Sequence, residues 1–252
     1  MLPLTAALIS SLIVFQIRQK GKSRSYFGFL MLTISLLFFS EFAMKLDLVV
    51  MLPFFYIFFL STNYLIGPLL FFYNESLLHR KPRFKNQYKV HLFPSLLVFI
   101  LLTTSFFYIG EDKFGQSILL TSSESYSGME NIFAYLILFL KTTFFYLHLL
   151  FYYYLINKNQ DRHKKKYGKF YADYEKRNEL LLLRIFISIL GLIVTQVILE
   201  LFKADNPYLI IGCNLAAGIL IVLIFISGKE QVEIRKYRMY KLSSHEHEIR
   251  KK

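Results

Sequence analysis

Long apolar segments alternate with short polar connections along the whole chain. Seven segments contain few or no charged residues. They span residues 2–17, 26–43, 48–73, 91–109, 132–156, 180–201 and 208–227. An apolar helix of about 20 residues crosses the roughly 30 Å hydrocarbon core of a bilayer, and none of the segments has the period-two alternation of a barrel strand. The pattern predicts an all-α integral membrane protein with a seven-helix transmembrane bundle.

The composition agrees with a membrane protein. The chain of 252 residues is 55% hydrophobic, with 27 Phe and 18 Tyr, which is too apolar for an ordinary soluble domain. Its net charge of +13 would suggest nucleic-acid binding in a soluble protein, so the position of the charges decides their meaning.

Lysine and arginine accumulate in alternate connections. The connections 18–25, 74–90 and 157–179 and the tail from 229 together hold 25 of the 30 basic residues, whereas the other three connections hold one each. Basic residues stay on the cytoplasmic side during insertion, so the N-terminus is predicted outside and the C-terminus inside. The charges then meet anionic headgroups, and we expect the lipid bilayer as a partner and no direct nucleic-acid contact.

Two parts follow from this topology. Residues 1–228 form the membrane domain, and residues 229–252 form a cytoplasmic juxtamembrane tail, which is expected to leave the last span as a helix. The expected location is a membrane that the chain crosses several times.

The fifth segment carries the deepest charge. Lys141 lies about nine residues inside its outer end, and His148 follows seven residues later on the same helical face. An intramembrane lysine is costly and usually faces a bundle interior or a wet cavity. Two alternatives remain: Lys141 extends its flexible side chain to the outer headgroups, and His148 is a hydrogen-bonded core residue.

Polar residues at similar depth are candidate partners for this lysine. Glu200 and Gln196 share a face near the outer end of the sixth segment, Asn214 lies in the last segment, and Glu41 is near the outer end of the second. We expect Lys141 to pair with Glu200 or Glu41 in a pocket that binds a small anionic or zwitterionic ligand from the outer side. The alternative is that both glutamates simply end their helices in water.

The third segment contains a predicted hinge. Pro68 removes one backbone hydrogen bond and should kink the helix near Asn63 and Tyr64, and Gly67 permits close approach of a neighbouring helix.

Enzyme motifs are absent from the sequence. There is no H-E-x-x-H, G-x-S-x-G or Walker pattern, and the spacing of His245 and His247 does not suit a metal site. The single Cys213 excludes an intramolecular disulfide. The sequence therefore predicts a protein that is not an enzyme and that needs neither a cofactor nor a metal.

The order of several short motifs resembles the N-terminal membrane region of membrane-bound AraC-type transcriptional regulators of bacteria. The motifs are IRQKGKSRS, LIGPLLFFYNESLL, KVHLFPSLLVFILL, RNELLLLRIFI and, after the last segment, KYRMYKLSS. The resemblance implies a sensor in the bacterial inner membrane whose tail meets a cytoplasmic output protein or a second copy of the chain. The family's helix-turn-helix domain would follow residue Ile249, and the sequence offers no room for it. The expectation is therefore signal reception without a DNA-binding domain; the alternative is a small membrane transporter or lipid-handling protein that uses the Lys141 pocket.

Overall fold

Helices form every regular element in the described part of the chain. The computed structural model describes residues 2–16, 22–45, 53–78, 88–111, 113–115, 128–167, 172–201 and 207–250. The helices are α1 (Leu2–Gln16), α2 (Lys22–Lys45), α3 (Pro53–Asn63), α4 (Ile66–Leu78), α5 (Tyr88–Ile109), α6 (Met129–Phe139), α7 (Phe145–Tyr167), α8 (Ala172–Leu201) and α9 (Pro207–Arg250). A π-helical stretch, Leu140–Phe144, joins α6 to α7. The all-α prediction is confirmed.

Within the described residues, five helical stretches are long and apolar enough to cross a bilayer. They are Phe54–Leu78, Lys89–Ile109, Met129–His163, Lys176–Thr195 and Leu209–Gln231. The apolar parts of α1 and α2, Thr5–Val14 and Ser23–Phe39, are shorter. The chain is thus a multi-pass membrane protein with five candidate spans, and the count of seven depends on the two short stretches.

The surface of these helices is apolar, as lipid contact requires. Phe107, Val90 and Tyr135 are each at least 70% exposed, on α5 and α6. A soluble protein of this size would hide such side chains from water, whereas acyl chains solvate them well.

Helix α4 lies at the centre of the bundle. It contacts α2, α7 and α9, and twelve of its thirteen residues are buried. In the candidate span that contains it, 67% of the residues in the most apolar stretch are buried, compared with 22–44% in the other four spans. Around this centre, α1 packs on α2 and α9, α3 on α5, and α8 on α9.

Two helices extend further than the apolar pattern alone requires. Helix α7 continues through the basic run to Tyr167, and α8 already begins at Ala172, so most of the expected cytoplasmic connection 157–179 is helical. Helix α9 continues to Arg250 without interruption, which matches the expected helical tail.

Candidate functional site

The third predicted span is broken between α3 and α4. Pro68 has no N–H to offer the carbonyl of Tyr64, four residues earlier. At the same place, the amides of Tyr64 and Leu65 donate to the carbonyls three residues earlier, those of Ser61 and Thr62, at 3.2 and 2.9 Å. The interruption lies where the proline predicts it, and whether it moves as a hinge remains a prediction.

A second irregularity faces this break. The π-helical stretch Leu140–Phe144 inserts an extra residue into the fifth predicted span, and such insertions are frequent at functional sites. The hydroxyl of Tyr64 donates a hydrogen bond to the carbonyl of Leu140. Because Tyr64 is fully buried and its ring packs on Phe144 and Phe145, the two irregularities are held together.

Lys141 lies in the same π-helical stretch and is half-buried. The side chains of its predicted partners Glu200, Gln196 and Glu41 lie outside the described residues, so their pairing with Lys141 stays a prediction. Asn214 is half-buried and donates to the carbonyl of Ile210 in its own helix, at 2.8 Å.

His148 is buried between two tyrosine rings. Its side chain is 6% exposed, and its ring centroid lies 5.2 Å from that of Tyr64 and 4.9 Å from that of Tyr152. Among the described residues, neither imidazole nitrogen has a hydrogen-bond partner. The alternative of a hydrogen-bonded core histidine finds no partner within this part of the chain, and a polar group buried in this way calls for an explanation.

The polar contacts continue from Tyr152 to α5. The Tyr152 hydroxyl and the Nδ1 atom of His91 are 2.9 Å apart, and the His91 ring packs on Phe71 and Phe72. We call Tyr64, His148, Tyr152 and His91 the tyrosine–histidine column. It joins the α3–α4 break, α7 and α5 through polar side chains.

Gly67 brings α4 and α7 together beside this column. A Cβ atom at this position would lie 2.7 Å from Cδ2 of Tyr152, so only glycine leaves space for the ring. The close approach expected from the sequence is thus present, and its partner is α7.

One half of α4 is predicted by the charge pattern to face the cytoplasm. This half contacts the tail helix. The Tyr73 hydroxyl donates to the carbonyl of Gly228 at 3.0 Å, where α9 leaves its candidate span. A Cβ on Gly228 would lie 2.2 Å from Cζ of Phe27, so α2 also packs tightly at this point. Nearby, Gln160 of α7 donates to the Asn74 side chain at 3.3 Å.

A cavity of about 510 Å³ opens between α4, α7 and α8. It lies toward the end of the bundle predicted to be cytoplasmic, away from Lys141. Its wall contains apolar residues such as Leu70 and Phe186 and polar residues such as Asp161 and Lys176.

Sequence reasoning missed most of the column. The sequence predicts no role for Tyr152, and His91 and Tyr64 enter the predictions only through a motif and a kink. The available signal was the spacing of four residues between His148 and Tyr152, which puts both on one face. Their partners on α4 and α5 required the packed structure.

Comparison with protein-family models, with curated proteins and with solved structures gives no match. Among the described residues, no three His, Cys, Asp or Glu side chains are grouped so that they could hold a metal ion. The arrangement offers hydrogen bonding and aromatic contact inside the membrane, linked through α4 to the tail helix.

Proposed function

We propose that this protein is a membrane-embedded signal-reception module in which a change at the tyrosine–histidine column shifts α4 and displaces the cytoplasmic tail helix. One observation carries the proposal. The chain from Tyr64 to Tyr73 binds a neighbouring backbone at both ends, the carbonyl of Leu140 in the π-helical stretch and the carbonyl of Gly228 at the base of the tail.

The segment between these tyrosines can transmit a movement as a rigid unit. The eight helical residues from Ile66 to Tyr73 correspond to about 12 Å, and the burial of α4 resists bending within it. A small movement at the break is then passed to Gly228 instead of being absorbed by loose packing.

The tail helix can carry such a movement out of the membrane. Helix α9 is one helix of 44 residues, which corresponds to about 66 Å, and its candidate span ends at Gln231. A tilt or rotation at Gly228 therefore moves the cytoplasmic part of α9 as a rigid body.

The signal is a small anionic or zwitterionic ligand from the outer side. The position of Lys141 supports this, because it lies next to Leu140, whose carbonyl accepts the Tyr64 hydrogen bond. A ligand shifts the module only if its affinity differs between the two states, and a change of the π-helical register would alter both Lys141 and the Leu140 carbonyl.

The motif resemblance to AraC-type regulators supports a bacterial inner-membrane location and a cytoplasmic output partner or a second copy of the chain. The charge distribution supports seven spans, an outer N-terminus and a cytoplasmic C-terminus. In this orientation Lys141 is in the outer half of the bundle and the end of α9 is in the cytoplasm.

Hydrogen–deuterium exchange of the protein in nanodiscs tests the proposal. Replacing Tyr64→Phe removes the donor to Leu140 and retains the ring, so we expect faster amide exchange in residues 229–250. Tyr135→Phe is the control, because this tyrosine is 70% exposed and lies far along the chain from α4.

Unchanged tail exchange in Tyr64→Phe would contradict the sensor. Substrate flux into proteoliposomes without any change of tail exchange would indicate the alternative, a small transporter.

A further inference from the structure

The cavity between α4, α7 and α8 has the size of a ligand site. Its volume of about 510 Å³ lies within the range of about 300 to 1,000 Å³ found for pockets that bind small molecules. It is separate from Lys141 and from the tyrosine–histidine column, so a ligand in this cavity is independent of the proposed function.

The deep part of the cavity is apolar. Tyr153 of α7 and Phe186 of α8 stack with their ring centroids 4.1 Å apart, and Leu70 of α4 completes this part of the wall. Phe186 lies ten residues inside the candidate span that begins at Lys176, which corresponds to about 15 Å. The cavity therefore extends from the helix ends to the depth of acyl chains.

The mouth of the cavity is polar and carries both signs of charge. Asp161 and Glu179 contribute two carboxylates and Lys176 one ammonium group, with the amide side chains of Asn157 and Gln160 beside them. An ammonium group is attracted by the two carboxylates, and a phosphate by Lys176. A head that carries both an ammonium and a phosphate group can therefore contact both signs of charge at the mouth.

One side of the cavity is open toward the position of the lipid. Leu180 and Leu183 line it and are 57% and 37% exposed, on a helix whose candidate span has a lipid-facing surface. A ligand with an acyl chain can therefore leave its tail between the surface helices and place its head among the charges.

We propose that this cavity binds a zwitterionic amphiphile with a primary ammonium head, of the phosphatidylethanolamine class. The ammonium group lies between Asp161 and Glu179, the phosphate faces Lys176, and the beginning of the acyl chains contacts Phe186 and Leu70. A primary ammonium group donates hydrogen bonds to carboxylates, which a trimethylated head cannot do.

Native mass spectrometry of the full-length purified protein tests this site. The probe is an equimolar mixture of dioleoyl phosphatidylethanolamine, phosphatidylcholine and phosphatidylglycerol. We expect the ethanolamine lipid to be retained at least about threefold over each competitor, the effect of a solvent-screened charge contact. The double variant Asp161→Asn/Glu179→Gln should lose this preference.

Two controls make the result specific. Glu111→Gln removes an exposed carboxylate outside the cavity and should retain the preference. Leu182→Phe fills the apolar wall and should lower retention of all three lipids. Thermal unfolding of each variant checks that it is folded.

Equal retention of the three lipids by the wild type, or a preference that survives in the double variant, would overturn the proposal. Soluble phosphoethanolamine provides the last comparison. If it protects the protein from thermal unfolding as well as the lipid does, the site binds a free headgroup, and the proposal of an amphiphilic ligand is wrong.

Discussion

At the scale of single residues, His148 is the most informative position. Its imidazole is buried beside Tyr64 and Tyr152, with both nitrogens unbonded within the described part of the chain. A buried polar group without a partner costs about 1 to 3 kcal/mol of stability. The contrast is His91, a half-buried residue whose Nδ1 atom meets the Tyr152 hydroxyl.

The two histidines are therefore predicted to respond in opposite directions to the same substitution. His148→Phe removes an unsatisfied group and retains an aromatic ring, so the thermal midpoint should stay level or rise by about 2 to 4 °C. His91→Phe leaves the Tyr152 hydroxyl without this contact, so the midpoint should fall by a similar amount. Thermal unfolding in one detergent measures both, and a fall in both variants would show that His148 has a stabilising partner.

At the scale of elements, the contact of α4 with α7 determines the shape of the site. Gly67 allows the two helices to meet, and the Tyr152 ring fills the space that a side chain on α4 would take. Small residues serve this purpose in membranes because helix association there depends on close van der Waals packing.

Two helical glycines give a matched test of this contact. Gly67→Ala places a Cβ 2.7 Å from the Tyr152 ring and should reduce the free energy of unfolding by about 1 to 3 kcal/mol. Gly212→Ala meets no atom within 4 Å and should be neutral or slightly stabilising, because alanine is the better helix former. Equal midpoints for the two variants would mean that α4 and α7 are not in close contact.

The sequence predicts the elements better than their pairing. Apolar length predicts the helices, and Pro68 and Gly67 predict the break and the close approach. The partner of Tyr64 could not be read from the sequence, because helices in lipid are apolar on most faces and hydrophobic periodicity no longer shows which face is inside. The π-helical stretch is equally hidden, since one inserted residue leaves the composition of the span unchanged.

At the scale of the whole molecule, the distribution of charge predicts the orientation. The outer connection 110–130 carries a single basic residue, whereas the tail from 229 carries eight. Insertion follows this bias, so the two segments should lie on opposite sides of the membrane.

Cysteine labelling in intact cells checks this orientation. In a Cys213→Ala background, Ser123→Cys should react with a membrane-impermeant maleimide at once, and Ser243→Cys only after permeabilisation. Labelling of Ser243→Cys in intact cells would reverse the orientation, and equal labelling of both sites would place them on the same side.

Helix α4 connects the tyrosine–histidine column with the tail helix, and a distance measurement across this connection reports whether it transmits a movement. Spin labels at Arg162→Cys on α7 and Ser243→Cys on α9, in the Cys213→Ala background in nanodiscs, report the tail position by double electron–electron resonance. Tyr64→Phe and Tyr73→Phe should each shift or broaden the distance distribution, because each releases one end of the α4 connection, while Tyr135→Phe should leave it unchanged. A distribution identical to the parent in both Tyr64→Phe and Tyr73→Phe would contradict the account.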